Sequence, residues 1–462
     1  MQPNGNVIVD TICRTAELGV TITGAAEHGD VTVIEAEPVE PINECPTCGQ
    51  PGVFRDHVIR SLVDLPIVGH PTRLHVRLPR YRCTNKRCLQ KIFRAGLTCA
   101  PDNSKTTDRV TRWILQRLCL DRMSVAAAAK SLGLGWDTTN ALALAAVQDL
   151  IYNDEHYLDG VKVIGVDEHR WSHNRRKWRD GYVTVIVDMT DHHDKDGNVI
   201  RPARLLDVVP GRSADALRTW LNNHSEQFRD QVKIISMDGF QGYATAAGEV
   251  IPNATQVMDP FHVVRLAGDK LTKCRTRLQL ETTGRRGRSK DPLYRNRKTL
   301  LTTEHLLTDK QRGRLEELFD FDDDYAPLQE TWTYYQQVIS CYNNPNKQAA
   351  KKAMSTLIDT LVDIKDAGIA EIAQLGRTMN KRRKDILAYF DHGVSNGPVE
   401  AINGRLEFLR GIALGFRNLD HYILRCLIHA ANIRHRINAL QNRKSHFFIV
   451  LLLPQKGIKM TR

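Results

Sequence analysis

Val161–Trp171 reads VKVIGVDEHRW, and the rest of the chain is best understood outward from that stretch. Up to Val166 it is apolar and β-branched apart from Lys162, the signature of a strand buried in a sheet. At Asp167 it turns polar, basic and aromatic. Tyr182–Met189 (YVTVIVDM) and Ala203–Val209 (ARLLDVV) repeat the apolar pattern, with turn-rich segments between them. Ser213–Phe228 has helical spacing, Val232–Asp238 (VKIISMD) returns to strand, a short helix follows, and Thr255–Met258 is a fifth strand. Three strands, a helix, a strand, a helix and a strand predict a mixed α/β sheet. From Phe261 to about Phe390 the pattern is almost wholly helical, and another helix starts near Gly397. The α/β core is therefore expected to be interrupted by a helical insertion.

Two of these strands end in an acid, Asp167 and Asp238, where the chain leaves the core and sheet enzymes place functional groups. If the strands are neighbours, the two carboxylates repel unless cations neutralise them. Divalent metal is the natural partner: hard oxygen ligands suit magnesium or manganese, and a metal pair can activate an attacking oxygen and stabilise a leaving one on a phosphodiester. The third acid is expected at Glu400, in Val394–Asn403 (VSNGPVEAIN), where Ser-Asn-Gly-Pro signals a helix start with Pro398 at the first helical position. A glutamate at the third helical position also suits a capping box, and Glu407, two turns on along the same face, is a rival. Alternation places Glu168 on the opposite side of its strand from Asp167.

Upstream, Cys45-Pro-Thr-Cys48 and Cys83-Thr-Asn-Lys-Arg-Cys88 form two close thiol pairs, with Gly49 placed for the tight turn after the first. Four thiolates in two knuckles suit a structural tetrahedral zinc ion, with a ribbon between them. Arg77, Arg80, Tyr81, Arg82, Lys86, Arg87 and Lys91 give that module a basic, partly aromatic surface suited to DNA. Cys13, Cys99, Cys119, Cys274, Cys341 and Cys426 stand alone and read as small buried residues. Met123–Leu150 reads as helix, turn, helix: Ser124 caps the first, Gly133-Leu134-Gly135 turns the chain, and Asp137 or Thr138 starts the second. Ala129 and Gly133 have the spacing that lets two DNA-reading helices pack closely, although Thr139 stands where a β-branched aliphatic is usual. An ordinary packed helix pair has the same signature.

The 462 residues suggest about three domains, and a formal charge of +12 points to a polyanionic partner. Eleven Lys or Arg fall between Lys270 and Lys298 against Glu281 and Asp291 alone. No signal peptide opens the sequence, and Phe447–Leu453 (FFIVLLL) falls well short of the roughly 20 residues that span a bilayer, so a cytoplasmic location is expected and no membrane role. Ten cysteines in a reducing compartment call for metal before disulfides.

Together GVDEHRWS, MDGFQGYATAA, Asp259-Pro-Phe-His-Val263 and SNGPVEAINGRLEFLRGIALGFRN, with the two cysteine pairs, make the chain resemble the DDE-type transposases of the bacterial ISL-three insertion-sequence family. The resemblance runs from about Cys45 to His435. It implies an RNase H-like catalytic core with a helical insertion, preceded by a zinc ribbon and a helix-turn-helix-like module. It places the family's three acids on Asp167, Asp238 and Glu400, with Mg²⁺ or Mn²⁺ between them. Implied too are binding of double-stranded DNA at terminal inverted repeats, cleavage of the 3′ ends, their joining to target DNA, and a homodimer or larger assembly.

The organisation expected is an extension and linker at 1–41, the linker being the acidic Glu35–Pro41, then a zinc module at 42–100 and a helix-turn-helix-like module at 101–155. The core follows at 156–264, the insertion at 265–392, the last core helix at 393–436 and a tail at 437–462. Trp171, Arg175, Arg176, Lys177 and Trp178 combine rings with cations and are expected to contact DNA ends, as are Arg285, Arg286 and Arg288 in the insertion. Asn403, Asp259 and His262 are expected just behind the acids, His262 as a satisfied buried histidine; Asp188 reads as a strand terminus. Two other functions fit parts of the pattern: a DNA-binding regulator without chemistry, and a structure-selective nuclease.

Overall fold

The computed structural model describes residues 5–173, 181–193, 199–321, 323–364 and 369–439. It divides into two units, Met1–Tyr157 with Leu424–Arg462, and Leu158–Ile423.

In the first unit, α1 (Gly5–Cys13) precedes β1 (Val20–His28), β2 (Val31–Pro38), β3 (Gly52–Ile67), β4 (His70–Cys83) and β5 (Ile92–Arg94). The sheet order is β1-β2-β4-β3, with β5 also on β4 and only β2 and β4 parallel. The acidic stretch expected to be a linker lies largely in β2. Ile34 and Ala36 point into the core while Glu35 faces water, a period-2 alternation that the glutamates and Pro38 obscure in the sequence. β1 and β2 thus complete the sheet of the zinc module instead of forming part of a separate extension, and Leu18, Val20, Ile34, Leu62, Leu74 and Val76 share one core.

Three helices follow, α2 (Asp108–Cys119), α3 (Val125–Leu132) and α4 (Trp136–Val147). Ser124 caps α3 by accepting from the Ala127 N–H at 3.1 Å, and Gly133 closes it at φ +60°. The second helix begins at Trp136 behind Gly135, slightly earlier than Asp137 or Thr138. Arg73 of β4 donates to the carbonyls of Leu132 and Gly133 at 3.2 and 2.7 Å, fastening this turn to the sheet. Asp64, buried in β3, accepts from Thr107 Oγ1 at 2.7 Å and from Arg109, so the start of α2 is tied to the same sheet.

The second unit opens with β6 (Val163–Arg170), β7 (Tyr182–Asp188), the short pair β8 (His192–His193) and β9 (Val199–Arg201), and β10 (Arg204–Pro210). Next come α5 (Ala214–Asn222), α6 (Glu226–Gln231), β11 (Ile234–Met237), α7 (Gln241–Val250) and β12 (Thr255–Met258). The helix expected over Ser213–Phe228 is two, because Ser225 caps a second start just after the first has ended. The five-stranded sheet runs β10-β7-β6-β11-β12; β6, β7 and β10 are antiparallel, and β11 and β12 run parallel to β6.

The helical stretch comprises α8 (Pro260–Thr283), α9 (Pro292–Arg295), α10 (Asp309–Phe319), α11 (Ala326–Asn343), α12 (Lys347–Asp363), α13 (Ala370–Lys381) and α14 (Arg383–His392). Leu271, Val338, Met354, Ile358, Leu375 and Ile386 form its core. The chain then returns to the sheet as α15 (Gly397–Ile412), followed by α16 (Leu419–Ala430) and α17 (Arg434–Ala439). α17 crosses the border expected at 436 and packs on α2 in the first unit. No helix among the described residues is long and apolar enough to cross a membrane, and Phe447–Leu453 lies outside them.

Candidate active site and metal centre

β6 and β11 lie side by side in parallel register, with Met237 opposite Val166. The next residue on each is an acid, so Asp167 and Asp238 stand at the same level, Asp238 just past β11 but Asp167 inside β6, which runs on to Arg170 in its pairing with β7 and so does not end at the acid as expected. Burial pushes the Asp167 carboxyl up to about 6, and the nearby Asp238 charge adds to the shift. Against this work the Glu168 backbone N–H, which donates to Asp167 Oδ1 at 2.8 Å, and the charge of His262. Burial also raises Asp238, opposed by the Phe240 N–H at 2.9 Å, by His262 and by Arg382. Two neighbouring half-buried carboxyls that both favour protonation carry too little positive charge around them. A hard divalent cation fits that donor set.

The third expected acid is placed differently. α15 packs so closely on the sheet that a Cβ on Gly165 would lie 2.3 Å from Val399 Cγ2, which makes glycine a requirement there. Asn396 is the N-cap and Gly397 the first helical residue, so Pro398 occupies the second position, one later than expected. The capping-box role for Glu400 falls away, because the Asn396 N–H that such a glutamate would take donates to Asp259 Oδ1 at 2.8 Å. Glu400 is exposed. One turn on, Asn403 donates to Asp167 Oδ2 at 2.9 Å. Its rival Glu407 is held by Arg410. Among the described residues, the four cysteines are the one group of three or more Asp, Glu, His or Cys side chains whose ligand atoms lie within 4.8 Å of each other. Asp167 and Asp238 are thus neighbours on adjacent strands, while Glu400 is not drawn into a common ligand shell with them.

Behind the acids, Asp259 caps α8 and accepts from His262 Nδ1 at 3.1 Å. Burial works to raise the Asp259 carboxyl, but its bonds from His262 and the Asn396 N–H hold it below the usual range. Asp259 in turn raises His262, whose charge also feels Asp238 and Asp167. His262 is therefore a partnered base facing the acids, more than an inert core residue. Asp188 forms a buried ion pair with Arg204 at 3.1 Å. Glu168 pairs with Arg212 at 3.1 Å, yet its charge still reaches Asp167 and Asp238, so strand alternation does not isolate it from them.

Several expected DNA contacts are placed elsewhere. Trp171 is 2% exposed and stacks on Tyr422, so it belongs to the core; an aromatic just past a strand end was read as surface, where its ring in fact covers the sheet. Arg175, Arg176, Lys177 and Trp178 lie outside the described residues. Arg285 is held bidentately by Asp291 at 2.6 and 3.0 Å, whereas Arg286 and Arg288 are exposed. Sequence reasoning missed Asn396, because its position in Ser-Asn-Gly-Pro announces only a helix start, and Arg382, which is buried and donates to the Gly239 carbonyl at 3.5 Å.

In the first unit, the Cys45 and Cys88 Sγ atoms are 3.8 Å apart and those of Cys48 and Cys83 3.6 Å. Tetrahedral Zn–S bonds of about 2.3 Å would set sulfurs roughly 3.8 Å apart, so the four thiols fit a structural zinc ion. Gly49 makes the knuckle turn at φ +70°, its N–H donating to the Cys45 carbonyl at 2.8 Å. Of the basic surface expected here, Arg77 pairs with Glu37 and Arg80 with Asp56, and Tyr81 is buried against Phe93. Arg82, Lys86, Arg87 and Lys91 remain exposed. Cys99, Cys274, Cys341 and Cys426 are buried, and Cys13 and Cys119 half-buried.

Residues 164–426 match the family model of the ISL3 transposases, described as a transposase, and residues 43–88 match the zinc finger of the transposases of IS204, IS1001, IS1096 and IS1165. The chain is 23% identical over 405 residues to the transposase for insertion sequence element IS1001 of Bordetella parapertussis, covering 86% of this chain and 91% of that protein. It is 24% identical over 331 residues to the transposase for insertion sequence element IS1557 of Mycobacterium tuberculosis, covering 67% and 69%. Among solved structures, the Drosophila P element transposase strand transfer complex aligns at 14% identity with a TM-score of 0.39, over 71% of this chain and 92% of that one.

Proposed function

The chain belongs to the ISL3 family of transposases, and from that premise we propose that it cuts the ends of its own insertion sequence and joins them to target DNA, with Asp167, Asp238 and Glu400 as its catalytic acids. The observation that carries this reading is the pair of half-buried carboxyls at one level on adjacent parallel strands. The sheet order, with three antiparallel strands followed by two parallel to the first, supports an RNase H-like core interrupted by α8–α14.

Asp167 and Asp238 supply oxygen ligands from the sheet. Asn403 and the Glu168 N–H each hold one Asp167 oxygen, which orients the carboxylate and leaves each oxygen a further lone pair for a cation. Glu400, exposed at the start of α15, closes the site from the helix side when DNA and cation arrive, a movement that side-chain rotation can supply. Bound there, magnesium or manganese would ease development of negative charge on the attacking and leaving oxygens of the phosphodiester. Hydrolysis at a 3′ end and strand transfer are both in-line attacks of an oxygen on phosphorus, so one set of acids serves both.

The zinc ribbon and the α3–α4 pair, read as helix-turn-helix-like, are assigned to the terminal inverted repeats. Arg286 and Arg288 are assigned to the phosphate backbone, and the working form to a dimer or larger assembly that holds two ends at once. The protein would act in the bacterial cytoplasm. The test uses labelled duplexes cut from the DNA on either side of the gene. With Mg²⁺ the protein should nick one of them at a defined 3′ position, and Asp238→Ala should bind the same duplex and leave it intact. Equal cutting by Asp238→Ala would overturn the assignment.

A further inference from the structure

Asn396 is fully buried and bonded to three strands or their ends at once. Its side-chain Oδ1 accepts from Ser236 Oγ of β11 at 2.6 Å, and its Nδ2 donates to the Val166 carbonyl of β6 at 3.4 Å. Its backbone N–H donates to Asp259, just past β12, at 2.8 Å. Val166 immediately precedes Asp167, and Ser236 stands two residues before Asp238. Asp259 caps α8, where the chain leaves the sheet for the helical insertion, and Asn396 caps α15, where it returns. The Asp259–Asn396 bond therefore staples the two ends of a 137-residue excursion.

We propose that Asn396 and Asp259 are positioning residues for the reaction: a buried clamp that locks the first turn of α15 to the middle of β6 and the ends of β11 and β12, and so sets where Glu400 meets the two strand acids. The inference rests on the reading of Glu400 as the third acid. Neither residue needs to touch DNA or metal. After so long an excursion, local sequence cannot fix the height and rotation of α15 against the sheet. Apolar contacts alone, such as Val399 on Gly165, tolerate sliding, whereas three directional bonds to one residue, two through its side-chain amide and one through its backbone N–H, do not. Glu400 lies four residues beyond the clamp and three before Asn403, which touches Asp167, so a small rotation of the helix start changes its reach directly.

The test is a titration of the full-length, zinc-loaded protein with Mn²⁺ alone, read by electron paramagnetic resonance. The wild type should bind Mn²⁺, Asp238→Ala should abolish that binding, and Glu400→Gln should weaken it. Asn396→Ala should weaken it about tenfold, yet by less than twofold when added to Glu400→Gln, because the clamp acts through the glutamate. Wild-type affinity in Asn396→Ala, or an equal loss in both backgrounds, overturns the proposal. Unchanged binding in Asp238→Ala overturns instead the acid assignment beneath it. Should Asn396→Ala fail to fold, Ser236→Ala deletes one bond of the clamp and should weaken Mn²⁺ about threefold; wild-type affinity there is equally contrary.

Discussion

Asp167 illustrates the compromise at the residue scale. A carboxyl raised from 3.8 to about 6 is more easily protonated in the folded protein than in the unfolded chain. Its contribution therefore favours the fold below the ordinary carboxylate range and turns against it as the pH climbs through 6. Removing the charge should help stability where it harms function. Asp167→Asn should raise the melting temperature by a few degrees at pH 8, with the gain vanishing below about pH 4, while cleavage is lost; calorimetry at the two pH values checks the sign. For the same reason cleavage by the wild type should fall as pH drops through 6, since protons compete with the cation for the carboxyl, and a pH–rate profile should show that limb. Asp167 and Asp238 were legible in the sequence because an apolar run that stops at an acid marks where a buried strand reaches the edge of the core. Asn396 and Arg382 were not. The partners of Asn396, and the Gly239 carbonyl that Arg382 reaches, lie more than a hundred residues away, and nothing local distinguishes an asparagine that caps a helix from one that also grips three strands.

At the scale of elements, periodicity served where one face is buried and failed where charge masked it. β6, β7, β10, β11 and β12 appear where apolar runs predicted them, whereas the glutamates of β2 disguised a strand as a linker and Ser225 split one expected helix into two. Trp171 was misplaced for a related reason: a ring beside cations looks like a DNA contact until the helix that covers it is known. α15 packs tightly on β6. Gly165→Ala would force a methyl onto Val399 and displace the helix start. We expect a loss of about 1–3 kcal/mol in stability, read by denaturant unfolding, and a cleavage defect of at least tenfold. In the zinc knuckles, Cys83→Ser or a strong chelator should release zinc, read by metal analysis, and abolish binding to the repeat duplex. The five-stranded sheet should keep its far-ultraviolet circular dichroism signal.

For the whole molecule, the net charge of +12 and the family place DNA as the partner, while the basic runs do not translate directly into exposed, unpaired cations. Many arginines in those runs are spent on internal acids, Arg80 on Asp56 and Arg285 on Asp291 among them, so charge density in sequence overstates the free cationic surface. In the proposed site, Asp167 and Asp238 hold the cation and Glu400 completes its ligands. Diffraction from crystals grown with Mn²⁺ and a repeat-end duplex, at the manganese absorption edge, tests it most directly. An anomalous peak roughly 2.1 Å from carboxylate oxygens of both Asp167 and Asp238, with Glu400 turned toward it, is the predicted result. Manganese bound elsewhere, with those two carboxylates bare, would contradict it.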